Sequence, residues 1–282
     1  MSGGGKTTVA EALRRGTARL AAAGIEGAAG DARRLMAHAL GLAPERLLPA
    51  GRDPLGDAAA AAWEAALAAR LLRRPVAQIV GARLFWGRSF AVTRDTLDPR
   101  PETETLVAEA LAAPFDRVLD LGTGTGCILV SLLAERPDAA GVGVDISPAA
   151  LAVARANAGR HGVAQRSVFL EGDWFGPVAG AFDLIVANPP YLDADEIAGL
   201  APEVRDWEPS LALSPGPDGL AAVRTIASGA ARFLRPGGRI LVEIGWRQGP
   251  AAARLFDAAG LAGVRVIRDL DGRDRAVCAE RR

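Results

Sequence analysis

The chain has 282 residues, room for one large domain plus a small one and for a substantial buried core. Its 33 basic residues balance 33 acidic ones, so nothing in the net charge demands nucleic acid, membrane or a polyanionic partner, although a local basic patch stays compatible with it. Cys127 and Cys278 are too few for a disulfide scaffold, and His38 and His161 have no Cys or His cluster around them, which argues against a metal centre.

The N-terminus lacks the apolar core of a signal peptide, and no apolar run approaches the roughly 20 residues of a membrane span, so a cytoplasmic protein with no membrane partner is expected. Gly3-Gly4-Gly5-Lys6-Thr7, which holds the only lysine, ends like a P-loop. The opening glycine of that motif would precede Met1 and no strand leads in, so the stretch reads as the flexible start of a helix. From about Val9 to about Leu72 the chain is rich in Ala, Leu and Arg at helical spacing. Leu13, Leu20 and Ala21-Ala22 fit one helix, Ala32, Leu35, Met36 and Ala39-Leu40 a second, and Ala58 to Leu72 a third, punctuated by Gly41, Pro44, Gly51 and Pro54. Residues 1–78 are therefore expected to form a small helical bundle, serving either dimerisation and stability or the docking of a macromolecular substrate. Phe85 to Val92 sets β-type residues around Gly87 and reads as a short hairpin. In Asp98-Pro99-Arg100-Pro101-Glu102-Thr103-Glu104 two prolines impose an extended linker, and the acids suit the first turn of a helix, where the dipole favours them. Residues 79–100 thus read as hairpin and linker, and residues 101–282 as a second domain.

That second domain alternates strand and helix. Val118–Leu121 is a buried strand and Cys127 to Ala134 a helix; Gly141 to Asp145 is the next strand. Ser147-Pro148 supplies an N-cap and a first-turn proline for the helix Ala149 to Ala158. Val168 to Leu170 and Leu184 to Ala187 are strands three and four, Leu220 to Leu234 is a helix, Arg235 to Gly238 turns, and Ile240 to Ile244 is the fifth strand. Val264 to Ile267 and Ala276 to Ala279 read as a terminal antiparallel pair. The fold class expected is α/β: a Rossmann-like, seven-stranded sheet with helices on both faces and its ligand crevice at the carboxyl ends of the strands.

Two motifs carry the chemistry. The loop Gly122-Thr123-Gly124-Thr125-Gly126 follows the first strand, where missing side chains let backbone approach a ligand and helix N-terminal N–H groups face it. Asp145, ending the next strand, suits both hydroxyls of a ribose. A nicotinamide dehydrogenase is the competitor, but Cys127 stands where the last glycine of its fingerprint belongs. Asp173-Trp174 offers a carboxylate to an adenine amino group and an indole to its ring face, unless Trp174 is simply core. Asp120 either faces the cofactor or braces the loop. The second motif, Asn188-Pro189-Pro190-Tyr191, closes the fourth strand. The Asn188 side-chain carbonyl and the Pro189 backbone carbonyl can accept both N–H bonds of a planar NH2 group. Pro189-Pro190 stiffens the turn, and Tyr191 can stack on the substrate. Elsewhere such a tetrapeptide would be an ordinary strand-closing turn. Beside a glycine loop it reads as the acceptor site of a methyltransferase that uses S-adenosyl-L-methionine.

Over nearly its whole length the chain resembles the PrmC/HemK family of protein-glutamine methyltransferases. The resemblance takes in Pro75-Val76 to Gly81, Phe85-Trp86-Gly87, the Pro99 to Glu104 linker, Asp120 to Gly126, Gly172 to Phe175, Asn188 to Tyr191, Glu208-Pro209, Pro236 to Gly238, Glu243 to Gly245 and Asp269 to Arg275. It implies the class I methyltransferase fold, with Gly122, Thr123, Gly124, Thr125, Gly126, Asp145, Trp174 and Asn188 holding S-adenosyl-L-methionine. It further implies that Asn188, Pro189, Pro190 and Tyr191 hold the glutamine of the Gly-Gly-Gln loop of peptide chain release factors. The expected enzyme is a monomer that takes a protein substrate and no nucleic acid directly. Gln78, where the family more often has Tyr, and Asp98, in place of an apolar residue, depart from the pattern at the hinge. A ribosomal-protein glutamine and, less favoured, a DNA or RNA amino group remain alternative substrates; the latter would need a basic recognition region that the sequence does not display.

Overall fold

The computed structural model describes residues 7–214, 216 and 218–282; the P-loop-like residues 3–6 lie outside them. Two compact units are present, Met1–Gly81 with Pro202–Trp207, and Ala82–Ala201 with Glu208–Arg282. In the first, α1 (Val9–Ala22), α2 (Ala28–Leu40), α3 (Asp57–Leu71) and α4 (Val76–Val80) enclose a core of Leu20, Leu35, Met36, Trp63 and Leu67. Thr8 starts α1 through a capping box with Glu11, each side chain accepting from the other's backbone N–H. The segment Pro202–Trp207 is fastened inside this unit by charge. Arg70, with its side chain 7% exposed, donates to Asp31 at 2.7 Å and pairs with Glu203 at 3.0 Å, and the Trp207 indole N–H donates to the Leu72 carbonyl.

The second unit opens with the hairpin β1 (Ala82–Phe85) and β2 (Arg88–Ala91). Its two-residue turn, Trp86 at φ 48 and Gly87 at φ 67, is left-handed at both positions, as a strand-matched tight turn requires. The Trp86 N–H donates to Glu104 at 2.8 Å, which ties the hairpin to the start of α5 (Glu104–Leu111) beyond a 3-10 turn at Pro101–Thr103. Then follow β3 (Arg117–Leu121), α6 (Cys127–Glu135), β4 (Ala140–Asp145), α7 (Pro148–Arg160), β5 (Ser167–Glu171) and β6 (Phe182–Ala187). The short helix α8 (Ala194–Ala198) follows; α9 (Pro202–Arg205) belongs to the first unit, and the second resumes with α10 (Ala221–Phe233), β7 (Leu234–Glu243), α11 (Gly249–Ala258), β8 (Ala262–Arg268) and β9 (Asp274–Glu280).

The described residues build a seven-stranded sheet in the order β5-β4-β3-β6-β7-β9-β8, parallel except for β9, which runs antiparallel to both neighbours. Strand alternation splits the core into two layers. Val118, Leu184, Val186 and Leu241 face one layer with α5, α6 and α7, while Leu119, Ile185, Ile240 and Val242 face the other with α10 and α11. Each such side chain contributes about 1.5–3 kcal/mol by leaving water. The sheet and its terminal antiparallel pair match the sequence expectation.

Local features of two kinds differ from it. Arg235 to Gly238 is no turn between elements but a bulge within β7: Leu234 pairs with Phe182, and the next pair is Arg239 with Leu184. Gly237, at φ 74, donates its N–H to the Arg281 carbonyl, so the C-terminal residues hold the bulge. The helices α8, α9 and α11 were not anticipated.

Candidate functional site

A cavity of ≈ 390 Å³ opens where β4, β3 and β6, neighbours in the sheet, reach their carboxyl ends. The register dictates its floor. Leu121 pairs with both Val144 and Ala187, so the residues that follow, Gly122, Asp145 and Asn188, emerge side by side. All three line the cavity, as do Thr123, Gly124, Thr125, Trp174 and Pro190. Gly126, Pro189 and Tyr191 are not among the lining residues.

The glycine loop is held by an internal lattice of bonds. Gly122, Gly124 and Gly126 all adopt positive φ, and Val144 O accepts the N–H groups of Gly122 and Thr123 at 2.8 and 2.9 Å. At Gly126, the N-cap of α6, a β-carbon would stand 3.3 Å from the Ala154 Cα, so only glycine lets α6 approach α7 this closely. The buried Asp120 accepts the Thr123 hydroxyl at 2.6 Å and stands outside the cavity lining, which makes it a brace. Burial lifts its carboxyl to about 7, against the opposing Thr123 bond. Burial also pushes the Cys127 thiol up to about 12, which leaves it without thiolate character.

Asp145 has one oxygen accepting from the Gly124 N–H at 2.8 Å and the other from the Ser147 N–H at 2.9 Å. Each oxygen keeps a second lone pair. Trp174, at φ 45, sets its ring edge close to Gly122 and also packs on the second core layer. It is cavity wall and core at once, and Asp173 lines the cavity beside it. Bare glycine backbone, a carboxylate with spare lone pairs, an indole and a second carboxylate suit a cationic nucleoside such as S-adenosyl-L-methionine, and the volume lies within the range of small-molecule pockets.

On the acceptor side, Asn188 donates from Nδ2 to the Thr103 Oγ1 at 3.2 Å, which leaves its Oδ1 free of that bond. Tyr191 turns its ring toward Gly245 and holds the turn through its carbonyl, which accepts from the Gln248 Nε2 at 2.9 Å. Burial, with Glu243 nearby, raises its phenol to about 12. The linker enters the wall unexpectedly. Arg100 donates from Nη2 to both Glu208 oxygens, at 2.8 and 2.7 Å, and both Arg100 and Pro209 line the cavity. In the sequence Pro99 to Glu104 reads as a linker shared with the family, with no task for Arg100 or Thr103; the buried Thr103 pairs with a residue 85 positions away, which no local pattern displays. The two departures are accommodated. Gln78 is buried and donates to the Trp207 carbonyl at 3.0 Å, and Asp98 lies 3.7 Å from Arg83.

Two family models match the chain, PrmC N-terminal domain over residues 11–81 and Methyltransferase small domain over residues 93–201. The release factor glutamine methyltransferase of Cereibacter sphaeroides is 65% identical over 270 residues, 96% of this chain and 97% of that protein. That of Rhodospirillum rubrum is 46% identical over 273 residues, 96% of this chain and 84% of that protein. Among solved structures, the hMettl16 catalytic domain in complex with MAT2A 3'UTR hairpin 6 superposes with a TM-score of 0.58 over 74% of this chain and 80% of that one; at 15% identity the likeness is one of fold alone. With identity of this level spanning almost the whole of both proteins, the chain belongs to the release factor glutamine methyltransferase family, PrmC/HemK, and is a protein glutamine methyltransferase.

Proposed function

We propose that this chain transfers a methyl group from S-adenosyl-L-methionine to the side-chain amide nitrogen of the glutamine in the Gly-Gly-Gln motif of peptide chain release factors, leaving S-adenosyl-L-homocysteine. The observation that carries this reading is Asn188 on the cavity wall beside the glycine loop, with its NH2 end committed to Thr103. Its Oδ1 is then available to accept from a second amide.

When bound, S-adenosyl-L-methionine supplies a methyl group activated by a sulfonium. The loop Gly122 to Gly126 brings backbone to the ligand without side chains in the way. Asp145 offers its spare lone pairs to the ribose hydroxyls. Trp174 covers the adenine face, Asp173 accepts from its amino group, and both carboxylates favour a cation. The lone pair of a glutamine amide nitrogen is delocalised, so the nitrogen is a weak nucleophile. Asn188 Oδ1 and the Pro189 carbonyl accept its two N–H bonds, fix its position and favour pyramidalisation. Pro189-Pro190 keeps those acceptors aimed, and Tyr191 braces the turn from behind. No strong base is needed, because the nitrogen turns acidic on methylation and releases its proton. Residues 1–81 serve as the docking platform for the protein substrate.

The test is mass spectrometry of a release factor incubated with the enzyme and isotopically labelled cofactor. A mass gain on the Gly-Gly-Gln peptide is expected. Gain confined to a ribosomal protein or to nucleic acid would overturn the assignment.

A further inference from the structure

Thr103 ends the 3-10 turn Pro101–Thr103, is 2% exposed, and has its Oγ1 as acceptor for the Asn188 Nδ2–H at 3.2 Å. Strand register brings a third residue to the same place. Ala187 pairs with Val242 across β6 and β7, so the next residues, Asn188 and Glu243, stand side by side at the carboxyl edge of the sheet. Glu243 is 1% exposed, has Thr103 among the groups that bear on its carboxyl, and has an Oε2 with no hydrogen-bond partner among the described residues. A carboxylate only accepts, whereas a hydroxyl both donates and accepts. If Thr103 gives its proton to Glu243, it presents only lone pairs to Asn188, and only the NH2 end of the Asn188 amide can meet them. The opposite end, Oδ1, is thereby turned to face elsewhere. An amide rotated by half a turn would set its own N–H bonds against those of the substrate, donor against donor.

We propose that Thr103 and Glu243 form a positioning pair that fixes which end of the Asn188 amide is presented to the substrate nitrogen. Glu243 stands outside the cavity lining and Thr103 on it; both act through Asn188, and the inference rests on reading Asn188 as the acceptor of the glutamine amide. The pair is also a titrating device. Burial lifts the Glu243 carboxyl to about 7, against the Thr103 bond and the charges of Arg275 and Arg100. The charged and titratable groups facing it are Arg275 from β9, Arg100 and Glu102 from the linker, Tyr191 from the turn after β6 and Cys127 from α6. Once protonated, Glu243 no longer claims the Thr103 hydrogen, which can then swing toward Asn188 and permit the wrong orientation.

The test uses the full chain with release factor as substrate. Thr103→Val keeps the shape and removes the hydroxyl; kcat is expected to fall about tenfold or more. Cofactor affinity by calorimetry, KM for the release factor and the melting temperature should stay close to wild type, and Thr103→Ser should recover most of the rate. In the wild type, kcat should decline as pH drops through about 7, and Glu243→Gln should lack that acidic limb. The pair is overturned if Thr103→Val turns over at the wild-type rate while Asn188→Ala is inactive, if Thr103→Ser is as impaired as Thr103→Val, or if the acidic limb persists in Glu243→Gln. Full activity in Asn188→Ala would instead remove the acceptor reading, and the pair with it.

Discussion

Asp145 and Asn188 flank Gly122 from the strands on either side of β3, and their surroundings divide the labour between them. Asp145 already spends one lone pair of each oxygen on the loop, so Asp145→Ala removes the proposed ligand acceptor and slackens the Gly124 and Ser147 N–H groups together. Charge-assisted bonds of this type are worth about 1.5–3 kcal/mol, so calorimetry should find cofactor binding weakened by about tenfold to hundredfold. Asn188→Ala should lower kcat by about a hundredfold or more while cofactor affinity changes only a few-fold, a split measured by single-turnover kinetics beside calorimetry. Collapse of cofactor binding together with turnover would refute that division. Both residues were legible in the sequence because each directly closes a strand, and a parallel sheet delivers its strand ends to one edge. Thr103 was not, since its partner lies 85 residues away and its contact depends on how a linker crosses that edge.

Among the elements, the loop and α6 form a unit whose geometry rests on one missing side chain. Gly126→Ala would place a β-carbon 3.3 Å from the Ala154 Cα at a φ of 76, so it combines left-handed strain with a tight contact that α7 must yield to. The strain alone costs about 1–2 kcal/mol. Urea unfolding should show at least that loss, and cofactor affinity should fall with it because the loop bonds move. The strands and long helices were readable from apolar runs and caps, as with Ser147, whose hydroxyl accepts the Ala150 N–H at 3.2 Å. What escaped was of two kinds. The bulge at Arg235 to Gly238 depends on Arg281, a distant partner, so local residues read as a plain turn. The helix α11 buries little beyond Gly249, Ala252 and Phe256, too sparse an apolar stripe to stand out. For α8 a signal was present and unused: Asp193 and Glu196 form a capping box.

At the scale of the whole molecule, buried carboxyls shape the response to pH. Asp120 is lifted from 3.8 to about 7 and Glu243 from 4.5 to about 7, both chiefly by burial. Between those limits the unfolded chain has released protons that the folded chain keeps, so stability declines as pH rises through the window and levels off above it. Asp183 and Asp269, whose carboxyls are held below 3.8 by backbone and arginine hydrogen bonds that outweigh burial, act the other way, but only in stronger acid. A melting temperature that falls between about pH 5 and about pH 7 is therefore expected, with a shallower slope in Asp120→Asn; an equal slope in that variant would exclude Asp120 as a source. In the helical unit, Arg70→Ala would leave Asp31 buried with only its exposed Arg34 partner, at a cost of about 3 kcal/mol measurable by urea unfolding. The same arginine holds Glu203, which belongs to a stretch borrowed from far along the chain. The helical unit is therefore encoded in two separate pieces of the gene. A chimera that exchanges the helical unit must transplant residues 202–207 along with residues 1–81; grafting the first piece alone would leave Glu203 and Trp207 facing a foreign host.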